Sequence, residues 1–208
     1  MVVLSAIIII SFYNILTPTK VLPIYQPAQV NFELVDSTIQ HKKKYHKIAD
    51  FKLVNQNGDT ITQTFYKDKI YVADFFFTTC QTICPIMTDH MYEIQKQTIS
   101  DPEVLLLSHT VTPEIDSVAQ LKRYAKKKLV NSSKWNLVTG DKKQIYALAR
   151  TSYLAVKTSG DGGPYDMIHT ENFVLIDRQG RIRGFYNGTS RESVQLLAQH
   201  AKQLLGPK

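Results

Sequence analysis

Cys80 and Cys84 are the residues of this 208-residue chain whose type and spacing best suit chemistry. They are its whole cysteine content, with three residues between them. So few cysteines exclude a disulfide-stapled scaffold, a four-cysteine zinc ribbon and an iron–sulfur cluster. A redox pair, part of a metal site, or two inert buried thiols remain. The C-x3-C spacing lets the two sulfurs meet on one side of a turn, as a disulfide or as two ligands of one ion. Their surroundings favour reactivity. Residues 70–77 (IYVADFFF) are apolar except for Asp74, which predicts a strand buried on both faces. Pro85 suits a first helical turn, and Met87, Met91 and Ile94 recur at helical spacing. The cysteines therefore fall where a strand hands over to a helix. The free amides and dipole at a helix N-terminus stabilise a thiolate there.

Two thiolates alone hold a metal poorly, so a third ligand is expected. The chain offers His41, His46, His90, His109, His169 and His200. His41 and His46 fall in a proline-containing lead-in, and His200 on the last helix. His90, six residues past Cys84, is turned away from the helix start. His169 lies just ahead of a strand at residues 172–176 and beside residues 158–165 (TSGDGGPY), whose composition predicts a mobile loop. A lone histidine at a strand entrance is usually only a surface residue. Two thiolates with one imidazole suit Cu(I), and the imidazole also accommodates Cu(II). Structural zinc would want a fourth protein ligand. Three ligands, one of them on a loop, suit transfer of the ion better than its storage. Asp74, six residues before Cys80, could carry a raised pKa and shuttle protons for thiol exchange. The alternative is a carboxylate satisfied in a pocket. Met87 and Met91 read as core rather than as ligands.

The elements that must position these residues are legible in outline. Phe51 and Leu53 alternate with polar neighbours, Asn57-Gly58 supplies a turn, and residues 61–65 return, which predicts a hairpin. A buried strand follows at 104–107. A helix is expected from Thr112-Pro113-Glu114, with Ile115, Val118, Leu121 and Ala125 on one face. Residues 135–138 read as a short strand. Asp141 and Gln144 form a capping box for a helix holding Ile145, Leu148 and Ala149. A second hairpin spans 173–176 and 182–186, and Ser190 caps a last amphipathic helix that Gly206-Pro207 stops. Buried strands alternating with helices predict an α/β fold. Its closing antiparallel hairpin makes the central sheet mixed, flanked by helices and preceded by an N-terminal hairpin. Cysteines at a βα junction and a ββα ending are the thioredoxin plan, in which the segment holding His169 lies beside the paired cysteines.

Residues 1–17 are expected as a membrane anchor or signal, 18–47 as a tether and 48–208 as the folded domain. Residues 2–16 carry no charge and are nearly all apolar, short for a full span of about 20 residues and lacking a preceding basic residue. An uncleaved anchor, a cleaved signal and a soluble helix all stay open. Pro18, Pro23, Pro27 and the lysines at 42, 43, 44 and 47 mark the tether. The net charge of +7 comes from 25 Lys and Arg against 18 Asp and Glu. The basic residues are dispersed, apart from the 42–47 cluster and residues 126–128. They do not interleave with aromatics, so nucleic-acid binding is not expected. A solvated surface, or attraction to lipid or an acidic partner, is the plainer reading.

The stretch ADFFFTTCQTICPIM (residues 73–87) resembles the SCO/SenC family of copper-binding cytochrome oxidase assembly factors. So do residues 113–128, WNLVTGDKKQIYALA (135–149) and YDMIHTENFVLIDRQGRI (165–182). The likeness covers about residues 48–208 together with the N-terminal anchor arrangement. It implies a thioredoxin-like fold, copper held by Cys80, Cys84 and His169, and an extracytoplasmic, membrane-anchored domain on the periplasmic face. It also implies a metallochaperone delivering copper to the CuA site of cytochrome c oxidase, or a thiol–disulfide oxidoreductase reducing the cysteines of that site. In the second role Cys80 and Cys84 would be the redox pair. The implied partners are the copper-site subunit of the oxidase, other copper carriers or thioredoxin-like reductants, and the membrane. A peroxiredoxin, suggested by the Thr before Cys80, explains fewer residues. The sequence departs from the family at Ile168, where members often carry an acid, and at Val111-Thr112-Pro113, where many have Val-Asp-Pro. The missing acid leaves His169 without an obvious orienting partner.

Overall fold

The structure, a computed structural model, describes residues 12, 21–31, 34–35, 39–156, 163, 167–168 and 170–206. Its centre is β3 (Ile70–Phe76), parallel to β4 (Val104–Thr110), which is in turn parallel to β5 (Trp135–Thr139). All residues of these three strands are buried, the polar residues of β4 and β5 included, as in central strands covered on both faces. The first hairpin, β1 (Lys52–Asn55) and β2 (Thr60–Thr62), adds to the outer edge of β5. The second, β6 (Asn172–Ile176) and β7 (Ile182–Asn187), adds antiparallel to β3. The mixed sheet therefore runs β2-β1-β5-β4-β3-β6-β7. This is the thioredoxin-like plan expected from the order of elements.

Alternation along the strands divides the core into two layers. Ile70, Val72, Phe76, Leu106, Trp135 and Leu137 face α1 (Ile83–Gln97), α2 (Val118–Lys127) and α4 (Arg191–Leu205). Met87, Met91 and Ile94 of α1 are fully buried there, so both methionines are core residues. Tyr71, Ala73, Phe75 and Leu107 face the other way, onto α3 (Lys142–Ala147) and the π-helical turn Leu148–Ser152.

Two helix starts differ from expectation. Helix α2 begins at Val118, not at Thr112, and Ile115 is exposed. Ser117 is the residue that caps it, accepting from the Gln120 amide at 3.3 Å. The Asp116 carboxylate is occupied elsewhere, with three threonines. At α3 only half of the capping box forms. Asp141 accepts from the Gln144 amide at 2.7 Å, while the Gln144 side chain accepts from the Lys52 amide of β1.

The described part of residues 21–47 lies against the body. Leu22, Val35 and His46 are buried. Arg183 of β7 donates to the carbonyls of Leu22 and Pro23, and its charge is matched by Asp177 at 3.0 Å. His46 Nε2 lies 2.8 Å from the Ser152 carbonyl. The Tyr25 amide donates to the Ile182 carbonyl of β7 at 2.9 Å, so the stretch, its prolines short of amide donors, docks through isolated backbone bonds and apolar side chains. No described helix is long and apolar enough to cross a membrane. Apart from Phe12, the apolar stretch 2–16 lies outside the described residues, as does the loop 158–165 apart from Gly163.

Candidate metal centre

Residues 77–82 carry the chain from the end of β3 into α1. Cys80 is half-buried in this connection, Cys84 is buried in the first helical turn, and both are free thiols. The Cys84 amide donates to the Cys80 sulfur at 3.5 Å, and Thr82 Oγ1 lies 3.5 Å from it. Partial burial pushes the Cys80 pKa up. The Thr82 hydroxyl, the Cys84 and Thr82 amides and the Cys84 thiol outweigh it and bring the thiol down to about 7. Cys84 moves the other way. Burial raises it, a bond with the Phe77 backbone opposes, and Cys80 and the Asp74 charge raise it further, to about 12. One sulfur is therefore accessible and ionises near neutrality, while its neighbour stays protonated and enclosed. Alkylation by iodoacetamide is expected to label Cys80 alone, its rate rising through a midpoint near pH 7. Equal labelling of Cys84 by mass spectrometry would contradict this asymmetry.

The two cysteines share a cavity of about 100 Å³ with Phe75, Phe77, Ile168 and Thr170. His169 lies outside the described residues, and its two chain neighbours both line this cavity. Of the other described histidines, His41 is exposed in the lead-in segment and the remaining four are engaged elsewhere. His46 holds Ser152, His90 Nδ1 meets the Gly188 carbonyl at 2.7 Å, and His200 Nδ1 meets Tyr186 Oη at 2.7 Å. His109 is fully buried and stacked on Phe75, with ring centres 4.9 Å apart, and burial pushes its pKa down to about 4. Among the described residues no three His, Cys, Asp or Glu side chains gather as a metal cluster. Cys80 and Cys84 alone among them offer soft donors to one cavity, a donor pair that fits Cu(I).

Asp74 sits on β3 beside Ser108, on the face that packs against α1. Burial pushes its carboxyl up to about 7, against the opposing bond from Ser108. Its Oδ1 has no hydrogen-bond partner among the described residues.

Asp116 is the residue that sequence reasoning missed. Fully buried, its Oδ2 accepts from the Thr78 amide at 3.1 Å, Thr110 Oγ1 at 2.5 Å and Thr112 Oγ1 at 3.1 Å. Its Oδ1 accepts from Thr78 Oγ1 at 2.5 Å. The only sign of this in the sequence is threonine gathered around the ends of two buried strands, with one acid downstream. No spacing rule joins them.

The sequence matches the SCO1/SenC family over residues 39–206. A curated SCO1 protein homolog from Bacillus subtilis is 32% identical over 145 residues, spanning 69% of this chain and 75% of the relative. Among solved structures, BsSco is described as having a disulfide switch and as a member of the Sco family of cytochrome c oxidase assembly proteins. It superimposes with a TM-score of 0.66 at 29% identity, over 78% of this chain and 95% of that one. Copper-bound ScoI of Bradyrhizobium japonicum gives 0.60 at 27% identity, over 77% and 99%.

Proposed function

The chain belongs to the SCO1/SenC family, and we propose that it is a copper metallochaperone for cytochrome c oxidase assembly, binding copper through Cys80, Cys84 and His169. The observation that carries this reading is the shared cavity. Two thiols of unequal acidity open into it, and the chain neighbours of His169 line its wall. Copper is the cargo. The Cys80 thiolate is the accessible ligand and therefore the first to exchange with an incoming thiol. Cys84, enclosed behind it, releases last. The accepting partner is the copper-site subunit of the oxidase, with delivery to its CuA site. The uncharged stretch 2–16 supports a membrane anchor, and the likeness to a SCO1/SenC family lipoprotein supports the extracytoplasmic, periplasmic face.

A second reading, thiol–disulfide exchange with the cysteines of that copper site, is favoured by Asp74. Cys80 thiolate would attack a partner disulfide and form a mixed disulfide. Cys84 would then lose its proton to the Asp74 carboxylate and attack Cys80, which releases the partner as a dithiol. The partner gains two electrons and this chain is left with a Cys80–Cys84 disulfide.

Copper loading of the purified soluble domain against a Cu(I) chelator tests the first reading. One copper per chain is expected, with a thiolate-to-Cu(II) charge-transfer band after oxidation. Failure to take Cu(I) from the chelator would sink the metal reading and leave the redox one.

A further inference from the structure

We propose that Asp116 is the positioning residue of the cysteine site, holding the loop that carries Cys80 at the spacing copper and disulfide chemistry both require. The proposal rests on the reading of Cys80 and Cys84 as the working thiols.

Within the connection 77–82 the Cys80 amide donates to the Phe77 carbonyl at 3.3 Å. The tip residue Thr79 is exposed, and Thr78 and Cys80 are half-buried. One anchor, between the Cys84 amide and the Cys80 sulfur, links the loop forward to α1. Another runs sideways from Thr78, two residues before Cys80, to Asp116. Both the amide and the hydroxyl of Thr78 donate to that carboxylate. On its other side the same carboxylate takes Thr110 at the end of β4 and Thr112 just beyond it. Gln120 of α2 closes the ring, its Nε2 donating to Thr78 Oγ1 at 2.9 Å. The loop is thereby fixed to β4 and α2, the neighbours of the strand and helix that it joins.

A carboxylate is the one side chain able to take four donors at two oxygens, with no donor of its own to satisfy. Charge-assisted bonds are shorter and stronger than neutral ones, and here they are formed by a residue that never touches the thiols. Supports of this kind set how closely first ligands can hold an ion, and their removal typically lowers metal affinity about 10- to 100-fold.

The partition of donors yields a discriminating test. Thr78→Ala removes a donor on the loop side of the carboxylate, and Thr110→Val removes one on the strand side. Asp116→Ala removes both anchorages, and the two threonine variants keep the question answerable if it does not fold. Two quantities are measured: Cu(I) affinity by chelator competition, and the copper-free equilibrium of the Cys80–Cys84 disulfide with dithiothreitol. Thr78→Ala is expected to weaken Cu(I) binding about tenfold and to shift the disulfide equilibrium about tenfold. Thr110→Val, on the far side of the carboxylate from Cys80, should lose clearly less than Thr78→Ala in both measurements, because Thr112 Oγ1 still holds Asp116, even where its melting temperature falls as far. Asp116→Ala, if folded, should exceed Thr78→Ala in both measurements. Wild-type values for Thr78→Ala, or equal losses for Thr78→Ala and Thr110→Val, would overturn the proposal. A wild-type protein that binds no Cu(I) overturns the copper reading instead, and the disulfide equilibrium then still decides the role of Asp116.

Discussion

Cys80→Ser is expected to abolish copper retention and the disulfide together, whereas His169→Ala should weaken Cu(II) binding and spare the disulfide. The contrast follows from what each group supplies. Cys80 is the accessible sulfur, lowered to about 7 by hydrogen bonds from Thr82 and the Cys84 amide. Serine can accept those same bonds, but its hydroxyl does not ionise near neutral pH and is a poor ligand for soft Cu(I). The remaining sulfur, Cys84, is enclosed, burial pushes its pKa up, and it leaves Cu(I) a single soft donor. His169 would complete the coordination of Cu(II) in particular, because imidazole tolerates the oxidised ion better than two thiolates alone. Its loss should weaken Cu(II) binding by about 100-fold, close to 3 kcal/mol, and bleach or shift the charge-transfer band. The disulfide equilibrium of His169→Ala should stay within about threefold of wild type, since imidazole takes no part in closing the S–S bond. Titration with Cu(II) beside a dithiothreitol equilibrium reads both quantities from one preparation. Unchanged Cu(II) affinity in His169→Ala would remove this residue from the site.

The fold was legible where one local cause dominates. The run 70–77 could only be a strand covered on both faces, and β3 is buried at every residue. Gly58, at φ +88°, makes the first hairpin's turn as the Asn-Gly pair implies. Met87 and Met91 were separable from ligands by helical spacing alone. Prediction lost ground where a side chain's partner is distant in sequence. Helix α2 was placed too early because Asp116, six residues past Thr110, serves the loop before Cys80 instead of a helical turn. The capping box at Asp141 formed by half because Lys52, far away in sequence, took the glutamine. The proline-rich segment looked like a tether since periodicity reports only regular elements. Carbonyls of Leu22 and Pro23 clasped by Arg183 leave no such trace. At the site, the two thiols and the buried acid were readable from position. Which thiol is exposed was not, because that depends on how the 77–82 loop is tied down.

Asp74→Asn is expected to stabilise the protein at pH 8 and to change little at or below about pH 4. An ordinary aspartic acid ionises near 3.8, but burial raises this one to about 7. Between those values the native state keeps a proton that the unfolded chain has released. Stability therefore falls as pH rises from about 4 to 7, and the full penalty is present above the native pKa. Roughly 3 units at about 1.4 kcal/mol each set that penalty at no more than about 4 kcal/mol. An asparagine has no charge to bury and escapes it. For a chain of this size each kcal/mol is worth about 2–4 °C, so the variant should melt several degrees above wild type at pH 8. His109, whose pKa burial lowers to about 4, works in the opposite direction below pH 6.5. It is common to both proteins, so the difference between their curves isolates Asp74. A carboxylate that weakens the fold at neutral pH, among apolar neighbours that a valine would suit, has to be explained by what it does for the thiols. Asp74 contributes to the raised pKa of Cys84, so Asp74→Asn should lower that pKa yet slow the resolving step of disulfide exchange at pH 7 by about tenfold or more, for want of a proton acceptor. Superimposable melting curves at pH 8 would show that no charge is buried there. Faster exchange in the variant would show that Asp74 acts on Cys84 through charge alone.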